Sequence, residues 1–181
     1  GFVWAKMPVT PEGKAASSTN PQTWTTFEEA FDSWMLGDGF DGIGLVLGDD
    51  VQGIDLDDCR DPDTGELTPF GQQVLENVRG YAEVSPSGTG IKIFTRSNLD
   101  ASRTKKEVGL ELYARDRYFT VTGMAVEGRE LLHTIPPQGE PVDLTWLVTQ
   151  VFGPGAVRQH KAAVAIAAFD EALLAHVVEH D

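Results

Sequence analysis

Two carboxylates separated by one residue are the strongest chemical signal in this 181-residue chain. Asp55 and Asp57 alternate with Ile54 and Leu56. Side chains of a β-strand alternate between the two faces of a sheet, so both aspartates are predicted to point out of one face. Adjacent carboxylates repel each other, and a divalent cation between them removes that cost. The spacing indicates a metal site for phosphoryl transfer, although Asp-x-Asp also occurs in calcium loops, glycosyltransferases and solvated turns.

A third carboxylate, Glu111, lies on a segment that alternates in the same way. Leu110 and Leu112 share one face of the predicted strand, and Glu111 points to the other. If this strand neighbours the strand of Asp55, three carboxylates surround a pair of metal ions about 3.5–4 Å apart. Such a pair activates an attacking hydroxyl and neutralises a leaving pyrophosphate. The alternative is a surface glutamate on a half-exposed sheet.

A serine- and glycine-rich loop precedes the next predicted strand. Gly88 and Gly90 allow close approach of the backbone to a ligand, Ser87 adds a hydroxyl, and Lys92 adds a positive charge. A phosphate is the expected ligand. The loop is not a Walker A motif, because Lys92 lies on an alternating strand and does not begin a helix. The alternative is an ordinary glycine-serine turn.

Arg117 opens another predicted strand, which we place next to the strand of Glu111. A guanidinium there can hold a triphosphate or a template phosphate through two hydrogen bonds. The alternative is a surface arginine paired with Asp116. The nearby Tyr113 and Tyr118 suit either a core position or stacking on a base.

Composition limits the possible classes of protein. The net charge of −14 argues against a protein that coats DNA without specificity, which should be basic. The charge is uneven, since residues 26–70 hold 13 of the 28 acidic residues, whereas residues 92–117 hold seven of the 14 basic ones. Cys59 is the sole cysteine, so no disulfide framework or cysteine-based zinc site is expected. No apolar run is long enough for a membrane span, and we expect a cytoplasmic protein.

The elements that position these residues follow from periodicity and caps. Helices are predicted at about 26–36, from Thr68 and Pro69 to Gly80, from the opening Pro141-Val142-Asp143, and at about 158–178. Ile43–Leu47 and Gly53–Asp57 are predicted to form a β-hairpin. Further strands are predicted at 2–5, 81–84, 91–95, 108–113 and 118–122.

Taken in order, these segments resemble the prim-pol branch of the archaeo-eukaryotic primase superfamily, the bifunctional primase/polymerase domains of phage and plasmid replication proteins. The resemblance covers about residues 2–125. Its motifs are Lys6-Met7-Pro8, Asn20-Pro21-x-Thr23-Trp24, Asp41-Gly42-Ile43-Gly44, Gly53-Ile54-Asp55-Leu56-Asp57, Ser85-Pro86-Ser87-Gly88-x-Gly90, Glu111-Leu112-Tyr113 and Arg117-Tyr118-x-Thr120-Val121-Thr122-Gly123.

The resemblance implies an α+β fold, with an RRM-like catalytic sheet, an α/β subdomain and an active cleft between them. It implies that Asp55, Asp57 and Glu111 are catalytic residues that hold two Mg²⁺ or Mn²⁺ ions. Lys92 stands where the family usually has histidine. Either cation can contact the phosphates of a nucleotide, and lysine stays charged at any working pH.

We therefore expect a DNA-directed nucleotidyltransferase, a DNA polymerase or primase of phage or plasmid replication. Its ligands would be dNTPs or NTPs, held by Ser87, Gly88, Gly90, Lys92 and Arg117, and a DNA template and primer. Basic residues between 96 and 106 would contact template phosphates, and a fused or associated helicase would supply processivity.

We place a catalytic domain at 1–152, and a Gly-Pro break with a C-terminal helix at 153–181. A metal-dependent nuclease or phosphohydrolase and a non-catalytic nucleotide-binding replication module are the alternatives. If the protein is phage-encoded, its compartment is the host cytoplasm.

Overall fold

Alternation of apolar and polar residues builds two antiparallel sheets. The computed structural model describes residues 6–37, 39–130, 135–136 and 139–157. Within these residues the protein combines α-helices with antiparallel strands, which confirms the predicted α+β class. The strands are β1 (Ile43–Val46), β2 (Gln52–Leu56), β3 (Tyr81–Val84), β4 (Ile91–Thr95), β5 (Arg103–Lys105), β6 (Leu110–Tyr113) and β7 (Tyr118–Val121).

The larger sheet carries the predicted acidic strands at its centre. Its order in the described residues is β3-β4-β2-β6-β5, with neighbours antiparallel. If the edge strand β5 is left out and the other four strands are renumbered 1 to 4 along the chain, their order across the sheet is 2-3-1-4. This is the strand order of an RRM-like sheet. The condition stated for Glu111, that its strand neighbours the strand of Asp55, is met, because β6 pairs with β2.

The two faces of this sheet differ in chemistry. One face carries apolar side chains such as Ile54, Leu56 and Ile93, which pack in the main core with residues of the helices. The opposite face carries the charged residues, followed by a smaller core of Leu47, Tyr81, Phe94 and Phe119. The alternation of β2 thus directs Asp55 away from the main core, as its sequence pattern predicts.

The predicted hairpin between Ile43–Leu47 and Gly53–Asp57 is wrong. β1 pairs with β7, and the two form a separate sheet. The chain turns at 48–51 and passes from one sheet to the other. Gly53 explains why, because a Cβ there would lie 2.4 Å from the Phe119 ring and 2.6 Å from Leu47. The β1–β7 pair therefore packs on the face of β2 where glycine leaves room for it.

Three α-helices in the described residues match predicted segments: α1 (Phe27–Met35), α2 (Pro69–Asn77) and α3 (Thr145–Phe152). The Thr26 side chain accepts a hydrogen bond from the Glu29 N–H, as the capping box predicts. Thr68 caps α2 in the same way, with Pro69 in its first turn. Val74 and Val78 of the α2 region and Leu147 of α3 pack in the main core.

Two predicted elements fall outside the described residues: the strand at 2–5 and the helix at about 158–178. The division into residues 1–152 and 153–181 stays a prediction. Gly153, at the predicted break, has a φ of +88°, and a short 3₁₀ turn follows at Pro154–Ala156.

Candidate active site

Four charged residues form a row across four neighbouring strands. Strand register places Glu83 of β3 opposite Lys92 of β4, Lys92 opposite Asp55 of β2, and Asp55 opposite Glu111 of β6. Residues directly opposite each other in an antiparallel pair share a face, with Cβ atoms about 5 Å apart. We call these four residues the charged row. The structure brings Asp55 and Glu111 together as the sequence predicts, and it also places Lys92 beside Asp55.

Lys92 and Asp55 form the central contact of the row. The Lys92 ammonium donates to Asp55 Oδ2 as an ion pair. The side chains of Lys92 and Asp55 are only 8% and 13% exposed. Lys92 Nζ also lies 4.5 Å from the centre of the Phe119 ring, within range of a cation–π interaction. Among the described residues, Asp55 Oδ1 is buried and has no hydrogen-bond partner.

Asp57 and Glu111 extend the acidic side of the site. Asp57 follows β2 directly, and its N–H donates to the Gly109 carbonyl at 2.8 Å. Partial burial, followed by repulsion from Asp55 and Glu111, raises the pKa of Asp57 above its usual range. The Glu111 carboxylate accepts a hydrogen bond from the Tyr113 hydroxyl. Asp58 begins a different conformation, with a φ of +49°, so β2 ends before it.

A cavity of about 870 Å³ opens beside Asp57 and Glu111. Its volume is in the range of small-molecule sites. Thr68, which caps α2, and Phe70 in its first turn form one wall, and residues 106–109 form another. Its lining is acidic, because Asp58 and Glu107 lie there in addition to Asp57 and Glu111. Lys106 is the one lysine in this lining among the described residues. A polyanion would enter this cavity only with cations to offset the carboxylates.

The serine-glycine loop is a closed turn next to Asp57. The N–H groups of Ser85, Gly88 and Gly90 all donate inside the loop, so these three groups are already engaged. A Cβ on Gly90 would lie 2.6 Å from the Leu56 carbonyl oxygen, so close packing against β2 explains this glycine. Ser87 is exposed and contacts the hydroxyls of Ser85 and Thr89. The phosphate contacts of Ser87, Gly88 and Gly90 stay predictions.

The Tyr113 side chain contacts both Arg117 and Glu111. The guanidinium carbon of Arg117 is 5.2 Å from the centre of the Tyr113 ring, and that tyrosine donates to Glu111. The expectation that the strand opened by Arg117 neighbours the strand of Glu111 is wrong, since β7 pairs with β1. Arg117 is nevertheless exposed near the site.

Two of the basic residues between 96 and 106 serve the fold. Arg96 Nη1 donates to the Pro136 carbonyl at 2.8 Å. Arg103 pairs with Asp100 at 2.8 Å and donates to the Ala156 carbonyl at 2.7 Å. The exposed Lys105 and Lys106 remain as candidates for template contacts.

Sequence reasoning gave no role to Lys6 or Glu83. Partial burial and the nearby Lys92 charge lower the pKa of Lys6, while Asp55 and Asp57 act in the opposite direction. Lys6 is therefore a second cation beside the carboxylates, and the Tyr118 hydroxyl holds its backbone carbonyl at 2.8 Å. Glu83 is fully buried. Alternation on β3 alone indicates which face Glu83 occupies but not what it binds.

The donor chemistry of the site fits a divalent metal ion. Asp55 offers a buried oxygen that no described residue donates to, and Asp57 and Glu111 add hard oxygen ligands of the kind that Mg²⁺ and Mn²⁺ prefer. In the described ranges, no three Asp, Glu, His or Cys side chains are already arranged to hold one ion. Lys92 and Tyr113 occupy oxygens of two of the three carboxylates. Cys59 is a poor ligand, because burial raises the pKa of its thiol to about 11.

Comparison with known proteins supports the resemblance found in the motifs. A DNA primase-polymerase of Nitratiruptor phage NrS-1 is 35% identical over 133 residues, which is 69% of this chain. The chain is a relative of the prim-pol proteins. It spans 18% of the length of that phage protein. No family model matches the chain. As for membranes, none of the helices within the described ranges has the length and apolarity of a membrane span.

Proposed function

We propose that this chain is a nucleotidyltransferase domain that extends, or begins, a DNA strand on a template. The observation that carries the proposal is the charged row, which brings Asp55 and Glu111 into direct register, with Asp57 directly after the end of β2. The similarity to a DNA primase-polymerase supports the same activity. The reaction would join a 3′-hydroxyl to the α-phosphate of a (d)NTP and release pyrophosphate.

Asp55, Asp57 and Glu111 would hold two Mg²⁺ or Mn²⁺ ions. Such ions, when bound, activate the attacking hydroxyl and neutralise charge on the triphosphate. The carboxylates supply the negative charge that keeps divalent cations at the end of β2. Tyr113 orients Glu111 through its hydroxyl.

Cationic side chains around the carboxylates would bind and orient the triphosphate. Lys92, Lys6 and Arg117 approach the acidic group from β4, the N-terminal segment and the start of β7. Arg117 is suited to a two-pronged contact with a phosphate. Ser87 presents an exposed hydroxyl on a loop shaped by Gly88 and Gly90, and a Cβ on Gly90 would lie 3.6 Å from the Asp57 Cα. The cavity of about 870 Å³ gives room for a nucleotide or a primer end next to the carboxylates.

Primer extension tests the proposal. The 181-residue chain is incubated with a primed template, dNTPs and Mg²⁺ or Mn²⁺, and product length and released pyrophosphate are measured. Extension by the wild type and its loss in Asp57→Ala are expected. Failure to extend or to begin a strand would refute the proposal. Primer shortening that needs no dNTP would favour a metal-dependent nuclease. A non-catalytic module is favoured if the wild type neither extends nor shortens the primer and Asp57→Ala binds nucleotide and DNA as the wild type does.

A further inference from the structure

Lys92 is a nearly buried cation with a choice of two carboxylates. It is 6% exposed and lies directly opposite Glu83 on one side and Asp55 on the other. A buried ammonium needs a partner that replaces water. Glu83 is already engaged by the Tyr81 hydroxyl and by the N–H groups of Thr122 and Gly123. Lys92 pairs instead with Asp55.

The same oxygens are those that a metal ion would use. Asp55 has one oxygen on Lys92 and one buried oxygen without a donor, as far as the described residues show. Asp57 and Glu111 add two more negative charges at neighbouring positions. A divalent ion bound to Asp55 would lie within a few ångströms of the Lys92 ammonium, where like charges repel strongly in a poorly hydrated site.

We infer that Lys92 is a resident counter-cation that competes with the metal for Asp55 and thereby weakens metal affinity in the absence of nucleotide. The inference rests on the proposed function, since it concerns the metal site of that reaction. A neutral side chain in this position would not compete, whereas the Lys92 ammonium pairs with Asp55 directly. The Phe119 ring, 4.5 Å from Nζ, offers the displaced ammonium a second favourable contact.

Mn²⁺ binding to the whole chain, without nucleotide or DNA, tests this competition. Free Mn²⁺ is measured by electron paramagnetic resonance for the wild type and Lys92→Met. Removing the competing charge should tighten Mn²⁺ binding by about tenfold or more, in the range of ordinary coupling between two binding events. Lys92→Arg keeps the charge and should bind Mn²⁺ within about threefold of the wild type. Lys105→Met is the matched control, because Lys105 is exposed and lies opposite Leu110 rather than a carboxylate.

Thermal unfolding gives a second readout. Lys92→Met should melt lower than the wild type without metal, and Mn²⁺ should raise its melting temperature by more than it raises that of the wild type. Lys92→Gln, which keeps a polar end group, serves if the methionine variant does not fold.

The outcomes separate the two proposals. If Mn²⁺ binds the wild type and Lys92→Met or Lys92→Gln equally well, the competition is refuted and the proposed function stands. The competition would also be refuted if Lys105→Met tightened Mn²⁺ binding as much as Lys92→Met does. The gain in affinity would then come from the change in net charge alone. If neither the wild type nor the Lys92 variants bind Mn²⁺, the metal site itself is refuted and both proposals fall.

Discussion

Glu83 and Asp55 face Lys92 from its two neighbouring strands, yet they are held in opposite ways. Glu83 is fully buried, and both of its oxygens accept hydrogen bonds from fixed donors at 2.8–3.2 Å. Asp55 is bound by one side-chain ammonium, and in the described part of the chain its second oxygen has no donor. A buried carboxylate whose oxygens are all satisfied stabilises the fold, whereas one that lacks a donor is ready for a ligand.

The donors that bind Glu83 also show what it does. Thr122 and Gly123 directly follow β7, which belongs to the smaller sheet, whereas Glu83 belongs to β3 of the larger one. Glu83 therefore ties the two sheets together at the side of the charged row. The Asp55 side chain makes no such link within the described ranges, so the comparison predicts that replacing each carboxylate has a different effect.

The largest effect on stability should come from Glu83→Ala. The change leaves three donors without an acceptor and opens a cavity, which should lower the free energy of unfolding by about 3–5 kcal/mol. Urea unfolding followed by circular dichroism measures it, with Glu66→Ala as a control at an exposed glutamate. A loss of less than about 1 kcal/mol would contradict the structural role of Glu83.

A smaller loss of stability is expected from Gly90→Ala. This change tests whether close packing against β2 requires a glycine in the serine-glycine loop. The new Cβ would lie 2.6 Å from the backbone oxygen of Leu56, which cannot rotate away, and should cost about 2 kcal/mol. Gly88→Ala is the matched comparison. Its φ is +78°, but its Cβ would meet nothing closer than Pro62 at 3.8 Å, so about 1 kcal/mol is expected. Equal melting temperatures for wild type and Gly90→Ala would contradict the close packing.

The smallest effect should be a gain of stability, which we expect from Asp57→Asn in the absence of metal. The raised pKa of Asp57 means that its ionisation opposes folding. This penalty is fully present above the folded pKa and disappears below the unfolded one. The variant should therefore melt about 1–2 °C above the wild type at neutral pH, and the difference should shrink as the pH falls towards 4. Asp58→Asn is the control, and a difference independent of pH would contradict the assignment.

Local signals predicted the local structure well. Thr26 and Thr68 mark the starts of α1 and α2, because a cap is read from residues close in sequence. Alternation placed Asp55 and Glu111 on the polar face of their strands. Strand pairing was not predictable in the same way, since β1 satisfies its apolar pattern with either β2 or β7. The deciding contact, Phe119 against Gly53, joins residues far apart in the chain.

The details of the site depended on register. The ion pair of Lys92 with Asp55 requires the β2–β4 alignment, which neither strand encodes alone. The Arg103 guanidinium donates to a carbonyl 53 residues away. Its structural role could therefore not be predicted from the basic segment in which it lies. The short polar strand β5 carries no apolar pattern, so periodicity does not predict it.

The most direct test compares primer extension by Asp55→Asn and Glu83→Gln. The two changes each remove one negative charge opposite Lys92, one on each side. Rates are measured with Mn²⁺ below both melting temperatures and corrected for the folded fraction. Asp55→Asn should lose on the order of 10³-fold or more, whereas Glu83→Gln should stay within about tenfold of the wild type. Extension by Asp55→Asn at the wild-type rate, or an equal loss in both variants, would contradict the assignment of Asp55 to catalysis.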